Sequence, residues 1–183
     1  MAGAGIRIPG QGEAVDTLKG IVARLTNPRG LFENIGASLV TSTQRRFETG
    51  KGPDGSPWPP SLRVLAHGGK TLVLSARLLQ SITYQASATM VEVGTNVVYA
   101  AIHQLGGMIR QAARQASVHF KTDKRSGKRL QGFRKASKAE EHRSVNIGPR
   151  VVKMPRRPFV GLDDDDQREI VRITEDFVME GQR

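Results

Sequence analysis

The chain contains no cysteine, which excludes disulfide frameworks, thiolate nucleophiles, cysteine zinc sites and iron–sulfur clusters. Aromatic residues are scarce as well: one Trp, two Tyr and six Phe in 183 residues. No apolar run approaches the roughly 18 residues that a membrane span needs. The start, MAGAGIRIPGQGE, has no apolar segment of signal-peptide length, so a soluble, intracellular protein with no membrane partner is expected. Catalytic motifs are missing too. Neither a G-x-S-x-G elbow nor a phosphate-binding glycine loop occurs, and Gly50-Lys51-Gly52 runs into Pro53-Asp54-Gly55, whose acid would repel a phosphate. The four histidines, His67, His103, His119 and His142, have no metal-ligand spacing, and Glu140-Glu141-His142 reads as a surface cluster. Asp163–Asp166 lacks the alternation of a calcium loop and reads instead as the capped start of a helix. The expectation is a protein that is not an enzyme and has no catalytic residues, cofactor or metal.

What the chain does have is positive charge, and it is unevenly placed. The formal net charge is +11. Arg110 to Arg157 holds 15 Lys/Arg against three acids, while the rest of the chain holds 13 against 14. A basic total points to nucleic acid or another anionic partner, and here one segment supplies all of the excess. The candidate contacts with DNA or an acidic partner are Arg110, Arg114, Lys121, Lys124, Arg125, Lys128, Arg129, Arg134 and Lys135. Phe120 and Phe133 are too few for a convincing stacking platform. A solvated arm that orders against an acidic surface remains open beside nucleic-acid contact.

Periodicity predicts a helix over Glu13–Leu25, with its stripe at Val15, Leu18, Ile21, Val22 and Leu25. Asn27-Pro28 interrupts it. A second helix carries Phe32, Ile35, Leu39, Val40 and Phe47 and stops at Gly50, with Arg45 and Arg46 suited to its C-terminal dipole. Residues 50–60, GKGPDGSPWPP, must be turns and extended chain, with Trp58 packing the loop onto the body. Ser75 is expected to cap a short helix over Ala76–Ser81. Ile82–Ala86 and Met90–Val93 read as a hairpin. Tyr99–Leu105 reads as a short helix with Tyr99, Ile102 and Leu105 on one side, stopped by Gly106-Gly107. In the basic segment, Val118–Phe120 could pair with Leu130–Phe133, and Val145–Ile147 and Val151-Val152 look like strand pieces. Met154–Phe159 must be extended, and a helix from about Asp164 presents Ile170, Ile173, Phe177 and Val178. The sum is an α+β fold: a small antiparallel sheet flanked by two N-terminal helices and a C-terminal helix, with a long basic arm. A single domain is expected over 1–183, with a flexible arm at 1–12 and the basic arm inserted at 108–153.

The order of motifs resembles a known family. Gly52-Pro53-Asp54-Gly55 precedes Trp58-Pro59. Then come Leu72–Ile82, Val93-Gly94-Thr95-Asn96, Tyr99–Gly107 and Met154–Leu162. This set resembles the phage virion-morphogenesis, or tail-completion, family, although Ala76 replaces its usual Gly, Arg156 its usual Ala and Val160 its usual Leu. The resemblance implies a structural virion protein at the head–tail junction. It would be made in the host cytoplasm and assembled as a ring, of six copies by that likeness. The ring would cap the tail tube and give the head a docking surface. Implied partners are other copies of the chain, the tail tube protein and the head connector or adaptor, with genome DNA in the lumen as a further contact. Trp58, Arg156, Arg157 and Phe159 are the candidate assembly residues, with Phe159 better suited to a core anchor than to an inter-subunit knob. His103-Gln104 reads as a helix terminus whose polar side chains satisfy free carbonyls. The alternative is a nucleic-acid-binding protein that uses residues 110–157.

Overall fold

The computed structural model describes residues 11–120 and 141–179. The expected arm at 1–12 and seven of the basic candidates, Lys121, Lys124, Arg125, Lys128, Arg129, Arg134 and Lys135, lie almost entirely or wholly outside these residues. The chain divides into two compact units: residues 1–105 with 155–183, and the inserted residues 106–154.

The first unit is built on helices. α1 spans Gln11–Thr26 and α2 spans Arg29–Thr49. Gly50 ends α2 in the left-handed region (φ 70°), and its N–H donates to the Arg46 carbonyl, as a glycine C-terminal stop should. A short helix that periodicity did not suggest, α3 (Leu62–His67), begins where the Ser61 hydroxyl accepts the Val64 N–H. α4 is Arg77–Gln80. β1 (Thr83–Ala86) and β2 (Val91–Gly94) pair antiparallel, as the alternation predicts. α5 covers Ala100–Leu105, and α6 covers Asp164–Met179. α2 lies against the β1–β2 hairpin, where Gly36 admits Tyr84 and Val91: a Cβ there would clash with the Tyr84 ring.

The core joins distant segments. Phe47, Trp58, Leu78, Ile82, Val97, Ala100 and Phe159 form one buried cluster. The Phe47 ring meets Trp58 edge-on at 5.4 Å and Phe159 at 5.3 Å. Trp58 therefore anchors the proline loop, and Phe159 is a core residue. On α6, Ile170, Ile173, Phe177 and Val178 are half-buried, matching the predicted stripe.

Several expectations need correction. Ser75 does not cap α4. The N-cap position is Ala76, held at φ 55° with no side-chain cap bond. A left-handed alanine costs about 1–2 kcal/mol, only partly offset by its stiffer unfolded chain. Ala76→Gly is therefore expected to raise the unfolding free energy by roughly 0.5–1 kcal/mol, read as a higher urea midpoint. The α5 stripe is not buried: Leu105 is 71% and Tyr99 42% exposed, and Ala100 is the buried residue. On α1 the stripe forms, but Val15, Leu18, Val22 and Leu25 stay 48–62% exposed.

The second unit is a two-stranded ribbon. β3 (Gly107–Gln111) pairs with β6 (Arg150–Met154), and β4 (Arg114–Phe120) pairs with β5 (Glu141–Ile147), both antiparallel. Val118–Phe120 thus faces Glu141–Arg143 rather than the expected Leu130–Phe133, a segment outside the described residues. Gln111 faces Arg150 and Arg114 faces Ile147, so the register continues without a slip past Ala112-Ala113 and Gly148-Pro149. The ladder breaks there because Pro149 has no N–H to donate. Density of charge does not prevent this ribbon, since adjacent strands satisfy each other's backbone locally.

Candidate functional site

The motif segments converge on the extended stretch from Pro155 to Asp163, which runs through the first unit as a strap. Trp58 Nε1 donates to the Pro158 carbonyl at 2.9 Å. The Arg157 N–H donates to the His103 carbonyl at 2.7 Å. Gln104 holds the next two residues as a strand edge would. Its Oε1 accepts the N–H groups of Phe159 (2.9 Å) and Val160 (3.1 Å), and its Nε2 donates to the Val160 carbonyl (2.8 Å). Gln104 thus satisfies the strap rather than the end of its own helix.

Two buried arginines fix the strap on either side. Arg157, 3% exposed, donates to the carbonyls of Pro59 (2.7 Å) and Pro60 (3.5 Å). Burial draws its pKa below the ordinary arginine value. Burial also lowers the pKa of His103, helped by the Arg157 charge, which favours a neutral imidazole. Arg46, 5% exposed, donates to the carbonyls of Phe159 (3.2 Å) and Gly161 (2.7 Å). It also pairs with Asp163 at 2.9 Å and with buried Asp166. Asp163 and Asp166 cap α6 reciprocally: each carboxylate accepts the other's backbone N–H, at 2.8 and 3.1 Å. Burial raises the Asp163 pKa, but the Asp166 N–H and Arg46 outweigh it, leaving the carboxyl below its ordinary value. Beside this network lies an open cleft of about 610 Å³ lined by both charge signs, including Arg45, Lys51, Asp54, Asp165 and Arg168.

Of the four candidate assembly residues, Trp58, Arg157 and Phe159 are buried by the chain's own atoms, and Arg156 is exposed. Arg46, Gln104 and Asp166 were not anticipated as a connected set. The available signal was helical phase: Arg46 shares a face of α2 with buried Thr43 and Phe47. On the ribbon, Arg110 and Arg114 are exposed, as are Arg143, Arg150 and Lys153. Among the described residues, no group of three or more His, Asp or Glu could hold a metal ion. Nor is any helix there long and apolar enough to cross a membrane.

The motif residues form joints between segments of an α+β chain that carries an inserted basic ribbon. The chain belongs to the phage virion morphogenesis family, whose model matches residues 11–179. It is 28% identical over 155 residues to "Putative capsid assembly protein G" of Escherichia phage Mu, covering 80% of this chain and 76% of that protein. No solved structure matches.

Proposed function

We propose that this chain is a head–tail junction protein that assembles as a ring, caps the tail tube and offers the filled head a docking surface. The reading rests on membership of the morphogenesis family and on one structural observation. That observation is the exposed apolar face of α1. Val15, Leu18, Val22 and Leu25 follow the three–four–three spacing of a helix seam, yet each is about half or more exposed. Arg24 ties α1 to the C-terminal end of α6 through the Val178 carbonyl at 2.9 Å, and the adjoining Met179 is 51% exposed. A subunit leaving this much apolar surface open is suited to burying it against another copy, and a ring needs such an interface at every joint. The tail tube protein and the head connector or adaptor are the proposed further partners. Arg156, exposed beside the buried strap residues, is available to them.

The test is assembly state. Wild-type protein incubated with tail tubes should form rings seen by electron microscopy. Leu18→Asp/Val22→Asp should remain monomeric and reduce ring formation at least tenfold while keeping the wild-type circular dichroism. Wild-type protein that neither self-associates nor decorates tube ends would overturn the reading.

A further inference from the structure

The ribbon is asymmetric in charge between its two faces, and the asymmetry follows from register. Directly paired residues share a face, and faces alternate along each strand. By register one face carries Met108–Lys153, Arg110–Val151, Arg114–Ile147, Ala116–Val145, Val118–Arg143 and, at its end, Phe120–Glu141. Four of these six pairs set one cation beside one apolar residue, and the last holds an acid. The opposite face carries Ile109–Val152, then Gln111–Arg150, Gln115–Asn146 and Ser117–Ser144. Four of the five cations in the described ribbon therefore lie on one face, and Arg150 on the other approaches Gln111 instead.

In the helical unit some cations are paired within the chain and others, such as Arg45 and Lys51, have no ion-pair partner among the described residues. There, Lys19, Arg29, Arg46, Arg168 and Arg172 each lie against a carboxylate of the same chain. Arg110, Arg114, Arg143 and Lys153 are exposed and have no ion-pair partner among the described residues. From the Met108 pair to the Val118 pair the cations extend over about 33 Å at roughly 3.3 Å per residue. That is about ten base pairs of duplex at roughly 3.4 Å each.

We propose that this face of the ribbon binds the phosphate backbone of double-stranded DNA. A two-stranded ribbon has the width to enter a major groove, and guanidinium groups pair bidentately with phosphate. The aliphatic cross-strand neighbours give the arginine stems apolar surface to lie along while the charged heads reach outward. An acidic protein surface would also attract cations. The only acid in these paired strands is Glu141, at the last pair of the same face, so the five pairs of that face from Met108–Lys153 to Val118–Arg143 carry cations without a carboxylate among them. The site is independent of ring formation, because it lies wholly within one chain.

The experiment measures binding of the full-length protein to a 20-base-pair duplex by fluorescence anisotropy between 50 and 200 mM salt. Four phosphate contacts give a log–log salt slope of about −3.6 or steeper, an affinity loss of about 100-fold or more over that range. Arg110→Gln/Arg114→Gln/Arg143→Gln should make the slope shallower by about 2.7, and the matching triple lysine variant should retain it. Arg150→Gln should move it by less than half a unit. Circular dichroism of each variant should match the wild type, since all the changed side chains are exposed. A triple glutamine variant with the wild-type slope overturns the proposal. So does wild-type protein that ignores the duplex at 50 mM salt, and if that protein binds polyglutamate the face serves an acidic protein instead.

Discussion

Arg46→Met is expected to lower the unfolding free energy by about 3–5 kcal/mol, the range found when one member of a buried ion pair is removed. The reasoning is local. Methionine keeps much of the stem's volume, so the packing on α2 is largely preserved. What is lost is a cation 5% exposed that serves two carbonyls, Phe159 and Gly161, and two carboxylates, Asp163 and Asp166. Asp166, itself 4% exposed, is left buried without its counter-charge. Domains of this kind unfold with only about 5–15 kcal/mol, so the loss should appear as a melting decrease on the order of 10 °C. Arg46→Met/Asp166→Leu should recover part of it, because the orphaned charge is then gone. The pH dependence follows from Asp163, whose folded pKa lies below the ordinary 3.8. A depressed carboxyl contributes stability that is full above its unfolded value and is lost as pH falls through the folded one. Wild-type stability should therefore decline on acidification below about pH 4, and the Arg46→Met variant should decline less steeply there. Urea titrations at pH 7, 4 and 3 measure both. A variant within 1 kcal/mol of wild type would show that the strap and α6 are held by other contacts.

The helical unit was legible where single residues dictate backbone. Gly50 at the end of α2, the turn-forming Gly52–Gly55 run and the acids at Asp163–Asp166 each act within a few residues, so sequence position is enough. The ribbon was only half legible. Gly107–Phe120 mixes Ala, Arg and Gln into its alternation, and its partner strand begins more than twenty residues later. Nothing local announces that register, whereas Val145, Ile147, Val151 and Val152 are β-branched and mark their strands. The strap network was hidden for a related reason. Arg45 and Arg46 look equivalent in sequence, but one residue of helical rotation turns Arg46 inward to carbonyls more than 110 positions away. Gln104 likewise ends a short helix, as read, but its amide acts on the backbone of Phe159 and Val160. The left-handed Ala76 shows the converse: the backbone there favours glycine, yet the sequence carries alanine and so hides the turn.

Phe47→Ala should cost about 3–5 kcal/mol, the range for truncating a buried phenylalanine, and its effect should reach the strap rather than remain in α2. Phe47 is fully buried and its ring touches both Trp58 and Phe159. Those two rings belong to the proline loop and the strap, so one side chain joins α2, the loop that follows it and a strap residue more than 110 positions further on. Removing it leaves a cavity in the middle of the cluster, beside Trp58 and Phe159. Trp58 is the chain's only tryptophan, which makes its fluorescence a direct report on this joint. In the wild type its ring is 6% exposed, with Nε1 bonded to the Pro158 carbonyl. In Phe47→Ala the emission should shift to the red as water reaches the indole, together with an earlier thermal transition. Phe47→Leu, which refills most of the space, should lose less than half as much and keep the wild-type emission. An unchanged emission maximum in Phe47→Ala would mean that the loop is held without Phe47, by the Trp58–Pro158 and Arg157–Pro59 hydrogen bonds and the rest of the cluster. Phe47 would then support α2 without positioning the strap on which Arg156 is presented.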